Sequence, residues 1–207
     1  LSFLGSALDP DTGEARNFLS FGRQWEQEER TEDAHGRLVW AAGTLIRRRP
    51  SEPLVGYGNQ LFHRAVEAVS NFTSPRAWAF SVLGIRRYLD KFEGDRNTKL
   101  VGSSLANKLL ERFEENSSDD WMWPEDSVTY ENARLPQALI CWGDYTSNEE
   151  MKRWGRESLD WLMDIQTDSG RGVLSLIGNE GWLNRGEKKA DFDQQPVEVA
   201  ALIDANW

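Results

Sequence analysis

The sequence predicts an all-α protein with the architecture of an α/α toroid, in which inner and outer helices alternate along the chain. Three observations support this prediction. Apolar residues recur at helical spacing, whereas the alternation typical of strands is nearly absent. Segments that are apolar on nearly every side alternate with segments that have one polar face. Long polar segments precede most of the inner helices.

The first predicted pair is an inner helix at 33–48 and an outer helix at 58–71. The inner helix contains the run GRLVWAAGTLI (36–46), which is apolar on nearly all sides and should therefore be covered by other helices. The outer helix places Leu61, Phe62 and Ala65 on one face, as expected for a helix with one solvated side.

The second predicted pair is 75–92 with 97–115. Ser74 followed by Pro75 is a typical helix start, because serine caps the first turn and proline fits its first position. Apolar side chains recur at helical spacing through both segments. They are Trp78, Val82, Ile85 and Leu89 in the first helix, and Val101, Leu105, Leu109 and Phe113 in the second.

The third predicted pair is 132–143 with 148–165, and a seventh helix starts at about 195. The runs RLPQALICWG (134–143) and PVEVAALIDA (196–205) are apolar nearly all round, as inner helices should be. No outer partner for the seventh helix follows before Trp207. The pattern therefore predicts one toroid domain over 1–207, truncated at its C-terminus, with apolar surface exposed on the last helix.

Charge and composition exclude several classes of function. With 34 acidic and 24 basic residues the net charge is −10, so neither nucleic acid nor a membrane surface is an expected partner. No apolar run approaches the roughly 20 residues of a membrane helix, and the start lacks the pattern of a signal peptide, so a cytoplasmic location is expected. One cysteine and two histidines without zinc-site spacing predict no metal and no cofactor.

Loops that enter the inner helices of a toroid lie at one end of it, so the segments 9–32, 72–75, 116–131 and 166–195 should form a common rim. Three polar clusters fall in or beside these segments: the first at 15–18 and 31–37, the second at 123–134 and the third at 191–198. The sequence also has 10 tryptophans, and flat aromatic rings beside carboxylates are a common way to hold sugars. The predicted partner is therefore a glycan or oligosaccharide. The candidate binding residues are Arg16, Asn17, Asp33, His35, Trp123, Tyr130, Asn132, Arg134, Gln194 and Gln195.

Two carboxyl groups flanking a glycosidic bond would provide glycosidase chemistry. Glu125 or Asp126 is the candidate general acid, and Asp193 or Glu198 is the candidate base or nucleophile on the opposite side. A separation of about 6.5–9.5 Å would indicate inversion, and about 5–5.5 Å retention.

A purely structural interpretation of the same residues remains open. Asp33, Asn132 and Asp193 could cap helices, and Arg134 could pair with neighbouring carboxylates.

Three motifs together resemble a known helical domain: ALDPDTGEARNFLSFGRQW with EDAHGRLVWAAG, then WPEDSVTYENARLPQALI, then FDQQPVEVAALIDA. That domain is found in many bacterial proteins, often C-terminal to a retaining-type glycosyltransferase module. It is similar to the six-hairpin glycosidases, whose fold is the (α/α)6 toroid. The resemblance implies a carbohydrate context and an attached glycosyltransferase module as a possible partner.

The chain departs from the pattern of that domain at two places. Proline at 124 replaces the usual aromatic neighbour of Glu125, and Phe21–Gly22 replaces a usual Tyr-Asp pair. Glu125, Asn132, Arg134 and Asp193 remain in register. The alternative to an enzyme is a non-catalytic accessory domain that binds a glycan or stabilises an attached glycosyltransferase.

Overall fold

The computed structural model describes residues 2–26 and 31–207 and has two compact units, Leu1–Asn107 and Lys108–Trp207. The all-α class predicted from the sequence is confirmed. Residues 27–30 of the predicted rim segment 9–32 lie outside the described residues. A single closed toroid over 1–207, and its truncation, stay predictions.

All seven predicted helices are present, and the described residues contain one further short helix before them. Their bounds are α1 (Ser2–Ala7), α2 (Glu32–Arg48), α3 (Glu52–Val66), α4 (Pro75–Leu89), α5 (Arg96–Asn116), α6 (Arg134–Thr146), α7 (Glu149–Ile165) and α8 (Pro196–Asn206). A 3-10 turn, Ala68–Asn71, follows α3. Helix α3 begins earlier than predicted because Pro53 fits its first turn.

In the first unit, α2 packs mainly against α4 and α3. Helix α4 is buried along nearly its whole length, as an inner helix should be. The backbones of α2 and α4 cross at two glycines. A Cβ added to Gly43 would lie 2.1 Å from the carbonyl oxygen of Gly84, so only glycine permits this approach.

In the second unit, α6 packs against α7 and α8. Two small antiparallel ladders, which the sequence did not predict, organise the long loops. Strand β1 (Ser127–Val128) pairs with β4 (Leu183–Asn184), and β2 (Thr167–Asp168) pairs with β3 (Val173–Leu174). The first ladder joins the segment before α6 to the segment before α8. On α8, the side chain of Ile203 is 60% exposed.

Helix caps agree with the sequence at two helices and differ at three. Ser74 accepts the Ala77 N–H at 3.3 Å, and Asn148 accepts the Met151 N–H at 3.1 Å, both as predicted. The capping interpretation is wrong for Asp33, Asn132 and Asp193. The N-cap residues of α2, α6 and α8 are instead Thr31, Ala133 and Gln195.

Candidate functional site

Glu198 lies in the core of the second unit, where it holds the turn that leads into α6. Its carboxylate accepts the backbone N–H of Glu131, the backbone N–H of Asn132 at 3.3 Å and the Asn132 Nδ2 group at 2.8 Å. The side chain is only 1% exposed. Glu131 has a left-handed backbone with φ of 46°, and the carboxylate fixes its amide in that conformation. The predicted catalytic residue Glu198 therefore has a structural task.

Arg134 extends this buried network from α6 to α8. Its Nη1 donates to Gln137 Oε1 at 2.9 Å and to Asp204 Oδ2 at 2.8 Å, and its Nε lies 3.8 Å from Glu131 Oε1. The Arg134 side chain is 4% exposed. The structural alternative for Arg134, pairing with carboxylates, is thus present. The contacts of Glu198 and Arg134 show that residues of the second and third polar clusters meet within this unit.

Trp123 is fully buried, which leaves no face of its ring for a ligand. Its ring stacks on Trp161 at 6.0 Å between centroids and meets Phe113 edge-on at 5.9 Å. The sugar-holding role predicted for Trp123 does not fit this position, because a ring that binds a saccharide needs an open face. Trp123 is a core residue that supports Trp161.

Glu125 and Asp126 lie nearer the surface. Glu125 is half-buried, and its backbone carbonyl accepts the Trp121 indole N–H at 2.8 Å. The Asp126 carboxylate is exposed and lies 3.9 Å from Arg185 Nη1. The Asp126 carboxylate is therefore accessible to a ligand, whereas that of Glu198 is buried.

The residues predicted around Asp193 organise the loop before α8. Asp193 is exposed, with φ of 60°, and accepts the Asn179 Nδ2 group at 3.0 Å. Gln194 Oε1 accepts the Leu176 N–H at 3.2 Å, and Gln195 is the N-cap of α8. The half-buried ring of Tyr130 lies 6.2 Å from that of Trp182. These contacts position the loop rather than form a pocket of their own.

The same unit contains a cleft of about 690 Å³ between the loop before β1 and the loop after β4. Trp161, half-buried on α7, meets the ring of Trp121 edge-on at 5.2 Å. Trp121 is 5% exposed, so Trp161 supplies most of the accessible aromatic surface. The residues that line the cleft are Asp120, Trp121, Trp161, Ile165, Leu183, Gly186, Glu187, Lys188, Lys189 and Asp191.

Lys189 fixes one wall of this cleft. Its ammonium donates to the backbone carbonyls of Ile165, at 3.0 Å, and Ser175. Burial lowers the pKa of the Lys189 ammonium from its ordinary value, while the carboxylates of Asp191 and Asp168 act in the opposite direction. The bonds anchor the 183–191 segment to the C-terminal end of α7.

Sequence reasoning indicated part of this cleft and missed the rest. Trp121 falls in the predicted rim segment 116–131 and Asp191 in the third polar cluster, so their neighbourhood could be predicted. Trp161 could have been identified from the sequence, because it lies four residues before Ile165 and therefore on the same face of α7. Lys189 carries no such signal, because its partners are backbone carbonyls.

In the first unit, the predicted binding residues mostly serve local structure. The Arg16 guanidinium donates to the carbonyls of Ser6 at 2.6 Å and Ala7 at 3.2 Å, and it lies over the Trp25 ring at 5.4 Å. Asp33 accepts the Ser74 hydroxyl at 3.2 Å, whereas Asn17 is exposed. Convergence of this first cluster with the other two stays a prediction.

His35 is buried, and both of its ring nitrogens bond to backbone. Nδ1 accepts the Ala15 N–H at 2.9 Å, so Nε2 carries the proton and donates to the Ala65 carbonyl at 2.7 Å. The predicted ligand-binding role for His35 does not fit this arrangement, because neither nitrogen is available. Burial lowers the pKa of the imidazole from its ordinary 6.5, partly offset by the bond to Ala65.

Acid should therefore destabilise the first unit through His35. The unfolded chain binds the proton more readily than the folded chain, so stability is complete above about pH 6.5 and falls as pH drops through the lowered folded pKa. The test is urea unfolding between pH 7.5 and 4.5 for wild type and His35→Asn. We expect the loss on acidification to be smaller in His35→Asn. An identical pH dependence in both proteins would contradict this role, and His63→Asn, at an exposed histidine, is the control.

Neither a metal site nor a membrane-spanning helix is found in the part of the chain that the structure describes. Across residues 2–26 and 31–207, no group of three or more His, Cys, Asp or Glu side chains has an arrangement that could hold a metal ion. Within those same ranges, every helix falls short of the length and apolarity needed to cross a membrane.

No family model matches the chain, and the search of curated proteins also found no match. Among solved structures, the fold is similar to that of a sugar epimerase from a ruminal bacterium, with a TM-score of 0.63 and 13% sequence identity. The match covers 90% of this chain and 57% of the epimerase chain, so this chain spans just over half of that protein's length. At this identity the likeness shows a shared fold. The resemblance to six-hairpin glycosidases and the glycosyltransferase partner stay predictions.

Proposed function

We propose that this chain is a carbohydrate-binding domain and that the cleft beside Trp161 holds the saccharide. The observation that carries the proposal is the combination of an accessible tryptophan with carboxylates on two separate loops, Asp120 and Asp191, around one cleft of about 690 Å³. That volume is in the range of small-ligand sites, which are typically about 300–1,000 Å³.

The chemistry of this lining suits a saccharide. A sugar ring has apolar C–H faces and a rim of hydroxyl groups, so it needs a flat apolar surface and hydrogen-bond acceptors around it. Trp161 offers the surface, and ionised carboxylates accept hydroxyl hydrogen bonds through two oxygens each. The fold shared with a sugar epimerase supports the same ligand class.

The direct test compares Trp161→Leu with Trp207→Leu in titrations of the purified chain with neutral oligosaccharides. Leucine keeps apolar bulk against Trp123, while it removes the flat ring. We expect binding to weaken about tenfold in Trp161→Leu, equivalent to about 1.4 kcal/mol. Trp207 is fully exposed and lies outside the cleft lining, so its variant should bind like wild type. Equal binding by both variants would contradict the proposed site.

A hydrolytic form of the proposal has one observation in its favour: the cleft presents carboxylates from two loops, as a glycosidase requires. The predicted acids Glu125 and Asp126 lie in the loop that contributes Asp120, and the predicted base Asp193 lies two residues after Asp191. A glycan-hydrolysis screen with Asp120→Asn and Asp191→Asn, beside Glu125→Gln and Asp193→Asn, distinguishes this form from an accessory domain. Activity lost in a folded variant supports the enzyme, and binding without turnover supports the accessory domain.

A further inference from the structure

Acidic side chains outnumber basic side chains around the Trp161 cleft. Three carboxylates line it, Asp120, Glu187 and Asp191, and all three residues are exposed. Two lysines, Lys188 and Lys189, line it as well. A saccharide in this cleft would therefore meet more negative than positive charge.

The two lysines also differ in what they can offer a ligand. The Lys189 ammonium already donates to two backbone carbonyls, Ile165 and Ser175, and is partly withdrawn from solvent. Lys188 is exposed, as the three carboxylates are, so water and salt screen all four charges alike and this lysine offsets only one carboxylate. The Lys189 ammonium keeps one N–H donor for a ligand, but the nearby carboxylates of Asp191 and Asp168 already offset its charge.

We infer that the cleft selects saccharides without negative charge and excludes uronic and other acidic sugars. This inference rests on the proposed function and adds the ligand class. Neutral hydroxyl groups are good donors to Asp120 and Asp191, whereas a ligand carboxylate beside those groups is repelled. Such repulsion is a common source of specificity, because it raises the free energy of the wrong complex without improving the right one.

The test uses the full chain and saturation-transfer NMR titrations with matched pairs of sugars. The probes are cellobiose, maltose, lactose and chitobiose, together with a uronic-acid disaccharide corresponding to each. We expect wild type to prefer the neutral member of any pair that binds by about tenfold, because three exposed carboxylates act together and each contributes less than tenfold alone.

The variant Asp120→Asn/Asp191→Asn keeps the size of both side chains and removes two charges. We expect its preference for the neutral sugar to shrink about tenfold, through tighter binding of the acidic one. Asp119→Asn/Asp160→Asn is the charge-matched control, since both residues are exposed and lie outside the cleft lining. It should keep the wild-type preference.

The outcomes separate this inference from the proposed function. Wild type that binds acidic sugars as well as neutral ones overturns the inference and leaves the carbohydrate site standing. An unchanged preference in the Asp120→Asn/Asp191→Asn variant overturns it too, because the carboxylates would then not be its cause. Failure of wild type to bind any of the eight sugars contradicts the proposed function itself, and with it the inference.

Discussion

Replacement of Glu198 by alanine should lower the free energy of unfolding by about 3–5 kcal/mol, because it removes the acceptor of several buried hydrogen bonds. The carboxylate is 1% exposed and accepts three N–H groups from Glu131 and Asn132. Alanine would leave those donors buried without an acceptor, and each such group costs about 1–3 kcal/mol. The left-handed conformation of Glu131 would also lose the bond that fixes it.

The measurement is urea unfolding of Glu198→Ala beside Glu180→Ala, which removes an exposed glutamate of the same unit. The control should change stability by less than about 0.5 kcal/mol, as surface substitutions usually do. If Glu198→Ala unfolds within 1 kcal/mol of the control, the turn at 131–132 does not depend on this carboxylate. The assignment of Glu198 as a structural residue would then be wrong, and a role in ligand binding would become the better explanation.

The second large effect is expected at the crossing of α2 and α4. Gly43→Ala would place a Cβ 2.1 Å from the Gly84 carbonyl oxygen, a backbone atom that cannot move without moving α4. We expect a loss of about 2–3 kcal/mol or more from overpacking. In an exposed helix, Gly→Ala raises the free energy of unfolding by about 0.8–1 kcal/mol. A decrease in Gly43→Ala would therefore indicate the close approach of the two backbones.

Gly56→Ala in α3 provides the matched control. An added Cβ there has no other atom within 4 Å, so the variant should be as stable as wild type or slightly more stable. Thermal unfolding of both variants tests the close approach. Gains of similar size in Gly43→Ala and Gly56→Ala would show that α2 and α4 are farther apart than described.

Long helices could be predicted from the sequence because each repeats its apolar side chains over several turns. Helix α7, for example, repeats them through Met151, Leu159 and Leu162, all of which are buried. Helix α1 has six residues and each strand has two, so neither carries a measurable period. Those elements depend on contacts between distant segments, such as Ser127 opposite Asn184.

The candidate site was harder to predict because loop side chains have no fixed direction. Trp121 and Trp123 are two residues apart, yet Trp121 lines the cleft and Trp123 is fully buried. The bond from the Trp121 indole to the Glu125 carbonyl helps to set this difference, and no spacing rule contains it. The role of Glu198 was equally hard to predict. A glutamate near a helix start can bind a ligand or stabilise a neighbouring turn, and the sequence fits both roles.

The position of a bound sugar tests the proposed saccharide site at Trp161 most directly. We propose soaking crystals of the chain with the tightest-binding disaccharide and determining the structure of the complex. We predict a sugar ring against Trp161, with hydroxyl groups within hydrogen-bond distance of Asp120 or Asp191. A sugar bound elsewhere, with the cleft beside Trp161 occupied only by water, would contradict it.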